Sequence, residues 1–186
     1  MAVYMHSGRI TKELCAALLM MFALSACNQA PPSDGLREGS LIPPLTLTGL
    51  DGKQVLIDSF RGKLVVLNIW ATWCAPCRHE LPSLERLYQR LDPRHFVVAG
   101  LSVDDDVLQA REYLIDKGIT FTSYIDQDMK IATDILAVRI FPDTLIISPQ
   151  GVVLRRIAGE RAWDESRVIK ALEGAYEGNE APLAGL

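Results

Sequence analysis

The amino-acid sequence predicts an α/β sandwich with a central mixed sheet, and two features carry this prediction. Residues 64–70 (LVVLNIW) and 96–103 (FVVAGLSV) are nearly unbroken apolar runs rich in β-branched side chains, which is typical of strands buried on both faces. Between these runs, leucines recur at helical spacing and predict a helix over residues 75–91. Strands that alternate with helices in this way form a sheet whose faces are covered by the helices.

The segments on either side extend the same architecture. Asp51-Gly52 is a strong turn dipeptide between two short apolar stretches, so it predicts an N-terminal β-hairpin. The acidic residues 104–106 suit the N-cap of the next helix, and Asp164 or a neighbour suits the N-cap of the last one. The other predicted elements are a helix over 107–117, strands over 121–125, 144–147 and 152–157, a short helix over 129–135, a last helix that ends near residue 176, and a frayed tail over 178–186.

The composition is that of an ordinary globular protein. Apolar residues make up 49% of the 186, and 19 basic residues against 23 acidic ones give a net charge of −4. A disordered chain would have fewer apolar residues and more net charge, and a surface that binds nucleic acid would be basic. We therefore expect one folded domain and no nucleic-acid partner.

The N-terminal segment is typical of an export signal. Arg9 and Lys12 precede an apolar run over residues 14–26, which is short for a transmembrane helix of roughly 20 residues and fits a secretory signal peptide over residues 1–26. The run ends in LSAC, which resembles the lipobox of bacterial lipoproteins, with Cys27 as the lipidated residue.

The lipobox predicts a membrane-anchored lipoprotein outside the cytoplasm, in the periplasm or its equivalent. Residues 27–38 are polar and proline-rich, as a flexible tether would be, and they would hold a domain over residues 39–177 away from the bilayer. Two or three acyl chains anchor a protein stably, whereas a single chain binds marginally. The alternative is an ordinary signal peptide that Cys27 merely follows. Cys15 lies within the apolar run and would be removed with it.

A pair of cysteines stands where the first buried strand gives way to the helix. In Trp73-Cys74-Ala75-Pro76-Cys77, the first cysteine meets the free backbone N–H groups and the positive dipole end of the helix, which favour a thiolate. Pro76 suits the first turn of a helix, where its missing N–H costs nothing. We expect Cys74 to be the exposed attacking thiol and Cys77, one turn further along, to resolve the mixed disulfide.

A lone C-x-x-C pair has other possible uses. A structural zinc site needs four ligands, but the sequence has no second C-x-x-C and neither His79 nor His95 forms a cluster with this one, so we expect no metal. A static disulfide would close too short a loop to stabilise the fold much. A thiol peroxidase would have Pro and Thr where Leu67 and Ala71 stand. A copper chaperone would hold Cu(I) through the two thiolates.

The stretch NIWATWCAPCRHELP, residues 68–82, resembles the active-site segment of the TlpA/ResA/DsbE-type thiol–disulfide oxidoreductases, the membrane-tethered extracytoplasmic branch of the thioredoxin superfamily. The resemblance runs over residues 39–176 and includes the leading hairpin and a helix–strand insert at about 107–125. It implies a thioredoxin-like sandwich in which Cys74 and Cys77 are the redox group, with no further cofactor.

The resemblance also implies an activity and partners. Members of this family exchange disulfides with protein substrates, mostly as reductases that receive electrons from a membrane thiol donor. Many of them act on apocytochrome c thiols. We therefore expect a lipid-anchored oxidoreductase whose substrates are protein thiols or disulfides, with cytochrome c maturation as one role that the resemblance suggests.

The resemblance can also be followed residue by residue at the positions that transfer protons in this family. Thioredoxins have a buried, proton-accepting Asp where this chain has Asn68, which cannot titrate. This sequence resembles the family in having an acidic residue, Glu80, three positions after Cys77. Partly desolvated, Glu80 would have a raised pKa and exchange protons with Cys77. The alternative is a surface carboxylate that pairs with Arg78 or Arg86.

The other region concerns substrate binding. Pro142 matches the family's cis-proline, which packs beside the disulfide, and a cis bond after Phe141 would turn the backbone towards a substrate chain and allow β-type pairing. The family usually has Thr or Glu after this proline, where this chain has Asp143, so the substrate preference stays open. Trp73, and with it Trp70, either shields the disulfide or packs as a core aromatic.

Overall fold

The computed structural model of the chain describes residues 36–186. Its strands are β1 (Thr46–Gly49), β2 (Gln54–Leu56), β3 (Leu64–Trp70), β4 (Phe96–Ser102), β5 (Thr122–Ile125), β6 (Asp143–Ile147) and β7 (Val153–Ala158). Its α-helices are α1 (Ala75–Arg90), α2 (Val107–Asp116) and α3 (Ser166–Tyr176), and its shorter segments are 3-10 turns at Ile57–Phe60 and Ala181–Gly185 and a π-helical turn at Lys130–Ile135.

The predicted signal peptide, the lipobox and most of the predicted tether fall outside these described residues. Within residues 36–186, no helix is both long enough and apolar enough to cross a membrane.

The strands of the described part form one mixed sheet in the order β2-β1-β5-β4-β3-β6-β7. β3 lies between β4, to which it is parallel, and β6, to which it is antiparallel, and all of its residues are buried. These features confirm the α/β sandwich with a mixed sheet. Because β3 and β4 run in parallel, the segments that follow Trp70 and Ser102 lie at the same edge of the sheet, and α1 begins there.

The N-terminal hairpin and the helix–strand insert are also confirmed. β1 and β2 pair antiparallel around Asp51-Gly52, and Gly52 has a φ of +82°, a conformation that glycine adopts without steric cost. The insert consists of α2 and β5. Since β5 pairs with both β4 and β1, the insert joins the hairpin to the rest of the sheet.

The inner strand β3 presents its polar and aromatic side chains to the layer of helices. Asn68 and Trp70 are two residues apart and therefore share a face of the sheet. Asn68 contacts Glu80 of α1, and the ring of Trp70 lies 5.9 Å from that of Tyr113 of α2, while its Nε1 donates to Ser123 Oγ at 3.2 Å. Trp70 is therefore a core aromatic that packs against α2 and β5.

The C-terminal segment contradicts the prediction of a frayed tail over residues 178–186. The chain turns back through a hydrogen bond from the Asn179 N–H to the Gly174 carbonyl at 2.8 Å. It then forms the 3-10 turn Ala181–Gly185, which buries Leu183 in the hydrophobic core. Burial of this one leucine supplies favourable free energy that holds the segment against the domain.

Two predicted caps and one helix differ in detail. Of residues 104–106, Asp106 alone caps α2, by accepting from the Leu108 N–H at 2.8 Å. Glu165 stands at the N-cap of α3 without a capping side-chain bond, and the neighbouring Asp164 instead pairs with Arg86 at 2.7 Å. The short helix predicted over 129–135 is the π-helical turn Lys130–Ile135.

Candidate active site

Cys74 and Cys77 form a disulfide at the start of α1, with their Cα atoms 5.3 Å apart. Cys74 occupies the N-cap position, where its Sγ accepts from the Cys77 N–H at 3.3 Å. Cys77 is fully buried and Cys74 is 6% exposed, so Cys74 is the more accessible sulfur but is far less exposed than the sequence suggested. In the reduced protein, the same N–H group and the helix dipole would favour a thiolate on Cys74.

The turn that precedes Cys74 is held by a buried carboxylate that the sequence pattern had assigned to a helix cap. Asp104, two residues after the end of β4, accepts from the Thr72 N–H at 3.0 Å, from the Thr72 hydroxyl at 2.6 Å and from the Ser102 hydroxyl at 2.7 Å. The parallel pairing of β3 and β4 brings these residues to one edge of the sheet. Asp104 therefore fixes the backbone two residues before the attacking thiol.

Glu80 is buried within α1, 1% exposed, and lies three residues beyond Cys77. Its Oε1 accepts from Asn68 Nδ2 at 2.6 Å, and its Oε2 accepts from the Arg161 N–H at 3.0 Å and from Trp163 Nε1 at 3.1 Å. Burial raises the pKa of Glu80 to about 7, and the hydrogen bonds from Trp163, Asn68 and Arg161 only partly offset that desolvation.

The alternative of a surface carboxylate at Glu80 is wrong. The side chain has almost no contact with solvent, and Arg86 pairs with Asp164 instead. A carboxyl group with a pKa near neutrality can both accept and release a proton under physiological conditions, which is the property that a general acid–base catalyst needs.

The partners of Glu80 come largely from a segment, residues 161–163, that no sequence motif marks. Trp163 is buried, and besides its bond to Glu80 it donates its backbone N–H to Ser83 Oγ at 3.1 Å. Arg161 contributes a backbone group, which carries no side-chain signature in a sequence. No local pattern around Ala162-Trp163 indicates that this segment lies along α1; only the unexplained presence of a third tryptophan could have drawn attention to it.

The second half of the site is the segment before β6. The peptide bond between Phe141 and Pro142 is cis, as predicted, and the Pro142 carbonyl accepts from the Gly159 N–H at 2.8 Å. The rings of Phe141 and Trp73 meet edge to face, with centroids 5.6 Å apart, while Trp73 is 55% exposed. Ile140 is also largely exposed, at 60%. Trp73, which precedes Cys74 in the chain, and Phe141 therefore form an apolar contact beside the cysteine pair, and Ile140 adds an exposed apolar side chain next to Phe141 in sequence.

One amide connects the two halves of the site. Asn68 Nδ2 donates both to Glu80 and, at 2.9 Å, to Thr144 Oγ1. Thr144 is the second residue after Pro142, so the acid on α1 and the strand that follows the cis-proline share a hydrogen-bond donor. Among residues 36–186, no three His, Cys, Asp or Glu side chains come together closely enough to hold a metal ion.

Comparisons with known proteins place the chain among thiol–disulfide oxidoreductases. The model of the AhpC/TSA family matches residues 39–156. Thiol-disulfide oxidoreductase ResA of Geobacillus thermodenitrificans (strain NG80-2) is 31% identical over 154 residues, which cover 81% of this chain and 88% of the relative. ResA of Bacillus subtilis (strain 168) is 28% identical over 126 residues, or 68% of this chain and 70% of the relative. The solution structure of a thiol:disulfide interchange protein from Bacteroides sp. superposes with a TM-score of 0.65 at 25% identity, covering 78% of this chain and 97% of that one.

Proposed function

The chain belongs to the AhpC/TSA family and is a thiol–disulfide oxidoreductase of thioredoxin fold, similar to ResA and DsbE, and from this we propose that it is a lipid-anchored, extracytoplasmic reductase of protein disulfides. The observation that carries the proposal is the combination of an N-cap sulfur that is the more accessible of the pair, a fully buried partner sulfur and a buried acid of raised pKa on one helix.

The first step of the proposed reaction forms a mixed disulfide. The Cys74 thiolate of the reduced enzyme attacks one sulfur of a substrate disulfide. The substrate S–S bond breaks, a new S–S bond joins Cys74 to the substrate, and the other substrate sulfur leaves as a thiolate. Cys74 takes this role because it is the more accessible of the two sulfurs.

The second step releases the substrate. The Cys77 thiol loses its proton to the Glu80 carboxylate and attacks the sulfur of Cys74. The Cys74–Cys77 disulfide forms, and the second substrate sulfur leaves and takes up the proton that Glu80 holds. In total, two electrons pass from the cysteine pair to the substrate, and a thiol donor restores the pair by the reverse sequence.

The pKa of Glu80 suits this proton relay. At a pKa of about 7, the carboxyl group is close to half ionised at neutral pH, so it can accept the proton of Cys77 and then return it to the leaving sulfur. Asn68 and Trp163 hold the carboxylate in a fixed orientation through their N–H groups. A glutamate on the solvent side of the helix would have an ordinary pKa and would transfer the proton less effectively.

We assign the binding of substrate polypeptides to Trp73, Phe141 and Pro142. The exposed indole of Trp73 and the ring of Phe141 offer apolar contact area next to Cys74, and we assign β-type pairing with a docking chain to the backbone of Phe141 and Pro142. The ResA relatives are thiol-disulfide oxidoreductases, which supports a protein thiol as substrate. We further propose that a membrane thiol donor supplies the electrons and that the protein acts in cytochrome c maturation.

Insulin reduction tests the proposed activity. The reduced domain over residues 36–186 should cleave insulin disulfides with turnover when a dithiol donor is supplied, and insulin B chain should precipitate. A parallel titration with Cu(I) distinguishes the chaperone alternative, since tight copper binding without insulin turnover would contradict the reductase proposal.

The membrane anchor is tested in the full chain. Cys27→Ala should abolish labelling with a radioactive fatty acid and release the protein from the membrane fraction, because no thiol would remain at the lipobox. Cys15→Ala is the matched control and should leave both properties unchanged. Retention of the Cys27→Ala protein in washed membranes would contradict the prediction that a lipid on Cys27 anchors the protein.

A further inference from the structure

Arg156 of β7 contacts both ends of the loop that carries the cis-proline, defined here as the 137–142 loop. Its Nη1 donates to the carbonyl of Leu136, the residue just before the loop, at 2.8 Å. Its Nε donates to Asp143 Oδ2, just after the loop, at 2.8 Å, and its Nη2 donates to the same oxygen. One guanidinium therefore joins the two residues that bound the loop.

The contact with Asp143 is strong because the carboxylate is buried. Asp143 is 2% exposed, and desolvation raises its pKa while the hydrogen bonds and charge of Arg156 oppose that effect. Asp143 Oδ1 has no hydrogen-bond partner in the described residues, so the carboxylate depends on Arg156 for stabilisation. Removal of the cation alone would leave a buried, unpaired carboxylate, which strongly destabilises a folded protein.

The loop that Arg156 closes is the loop that faces the substrate side of the cysteine pair. It contains Ile140, which is largely exposed, and Phe141, whose ring packs against Trp73 next to Cys74. The opposite side of the same segment is fixed by the hydrogen bond from Gly159 to the Pro142 carbonyl. The position of Phe141 thus depends on how firmly the two ends of the loop are held together.

We propose that Arg156 is a positioning residue for exchange with polypeptide substrates: by joining Leu136 to Asp143, it holds the 137–142 loop in the conformation that receives a cysteine-bearing chain. The inference rests on the proposed function, in which this loop contacts the substrate. A loop that is already ordered does not lose conformational freedom when the polypeptide docks, and the affinity is higher by that amount. A small disulfide reaches Cys74 without using the loop, so Arg156 affects its reaction little.

The test uses variants that leave no unpaired buried charge. The double variant Asp143→Asn/Arg156→Gln removes both charges together, and its shorter neutral side chain on β7 cannot join the two ends of the loop as a guanidinium does. Arg156→Lys keeps a cation for Asp143 but lacks the planar fork, so it covers the case in which the double variant does not fold. Arg155→Gln is the matched control, since the neighbouring Arg155 pairs with Glu38 and not with the loop.

A comparison of two substrates distinguishes a loss of loop positioning from a general loss of folded structure. For reduction of insulin, the double variant should raise KM about tenfold, Arg156→Lys should raise it less, and kcat should change little. The rate constant for 2-hydroxyethyl disulfide should stay within about twofold of wild type for all variants, since that reaction makes no contact with the loop. Amide hydrogen exchange should become faster in the 137–142 loop and not in β3 or α1.

Equal losses with both substrates, or an unchanged KM for insulin in a folded variant, would overturn the role of Arg156. An enzyme whose wild-type form reacts with neither substrate would instead contradict the proposed function. The two failures are therefore distinguishable.

Discussion

Cys77→Ser is expected to convert the protein into a covalent trap for its substrates, whereas Cys74→Ser is expected to abolish exchange. In the first variant, Cys74, the more accessible of the two cysteines, still attacks, but no Cys77 thiol is present to break the mixed disulfide. In the second variant, the remaining sulfur is fully buried within α1 and cannot reach a polypeptide. Turnover of insulin should fall in both by at least about a thousandfold, the scale of loss that follows removal of a nucleophile.

The measurement is capture from extracytoplasmic extracts after alkylation of free thiols, followed by non-reducing electrophoresis. Cys77→Ser should give adducts that a reductant removes, and the double variant Cys74→Ser/Cys77→Ser is the control that should give none. Adducts formed by Cys74→Ser in place of Cys77→Ser would show that the two sulfurs have the opposite roles. Absence of adducts from both single variants would contradict the exchange mechanism.

Glu80→Gln is expected to remove the pH dependence of the resolving step. In the wild type, the rate should rise as pH increases through about 7, because the ionised Glu80 accepts the proton of Cys77. Glutamine cannot take a proton, so the variant should be slower at neutral pH and should lack that inflection, while the buried hydrogen bond from Asn68 is retained. Stopped-flow measurement of mixed-disulfide decay from pH 5.5 to pH 8.5, a range of roughly one and a half units around that pKa, checks the prediction.

The same residue couples stability to pH in a defined direction. The pKa of Glu80 is about 7 in the folded protein against 4.5 for an ordinary glutamate, so the folded state binds the proton more tightly. Its contribution to stability is fully present below pH 4.5 and is lost as pH rises through 7. The free energy of unfolding of the oxidised wild type should therefore fall by about 3 kcal/mol relative to Glu80→Gln across that range.

Glu85→Gln is the matched control on the same helix. Desolvation raises the pKa of Glu85, but hydrogen bonds from Thr120 and Gln89 and from the backbone of Thr120 and Phe121 outweigh it, so its pKa is lowered. A depressed pKa gives stability that is present above the unfolded value and lost as pH falls, the opposite sign to Glu80. Urea unfolding at several pH values should show this contrast, and exchange rates should not change. A Glu80→Gln protein that keeps both the wild-type rate profile and the wild-type stability profile would exclude Glu80 as the proton relay.

Local sequence patterns were sufficient for the parts of the site that lie close together along the chain. A run of buried β-branched residues, followed by a cysteine and a proline at helical N-terminal positions, specifies β3, α1 and the Cys74–Cys77 pair without reference to the rest of the molecule. These predictions succeeded because the interactions that stabilise them are between near neighbours. The cis bond at Pro142, by contrast, was expected from the resemblance to the family, and the segment around it is held by the distant residues Gly159 and Arg156.

The environment of the site depends on contacts that no local pattern encodes. Trp163 and the backbone of Arg161 reach Glu80 across 83 and 81 positions of the chain, and Asp104 reaches Thr72 across 32. Acidic residues before a helix usually cap it, and Asp106 does so. Asp104 instead accepts a hydrogen bond from the Thr72 N–H in a neighbouring turn. The register between parallel strands, rather than residue type, decides between those two roles.

The reduction potential of the Cys74–Cys77 couple tests the central claim most directly. The couple can be equilibrated with glutathione or dithiothreitol buffers, and the oxidised fraction read from thiol alkylation. A reductase of protein disulfides should have a potential near that of reducing members of this fold, about −270 mV. A potential near that of strong oxidants, about −120 mV, would mean that the reduced cysteine pair is too stable to donate electrons to substrates, and would contradict the account.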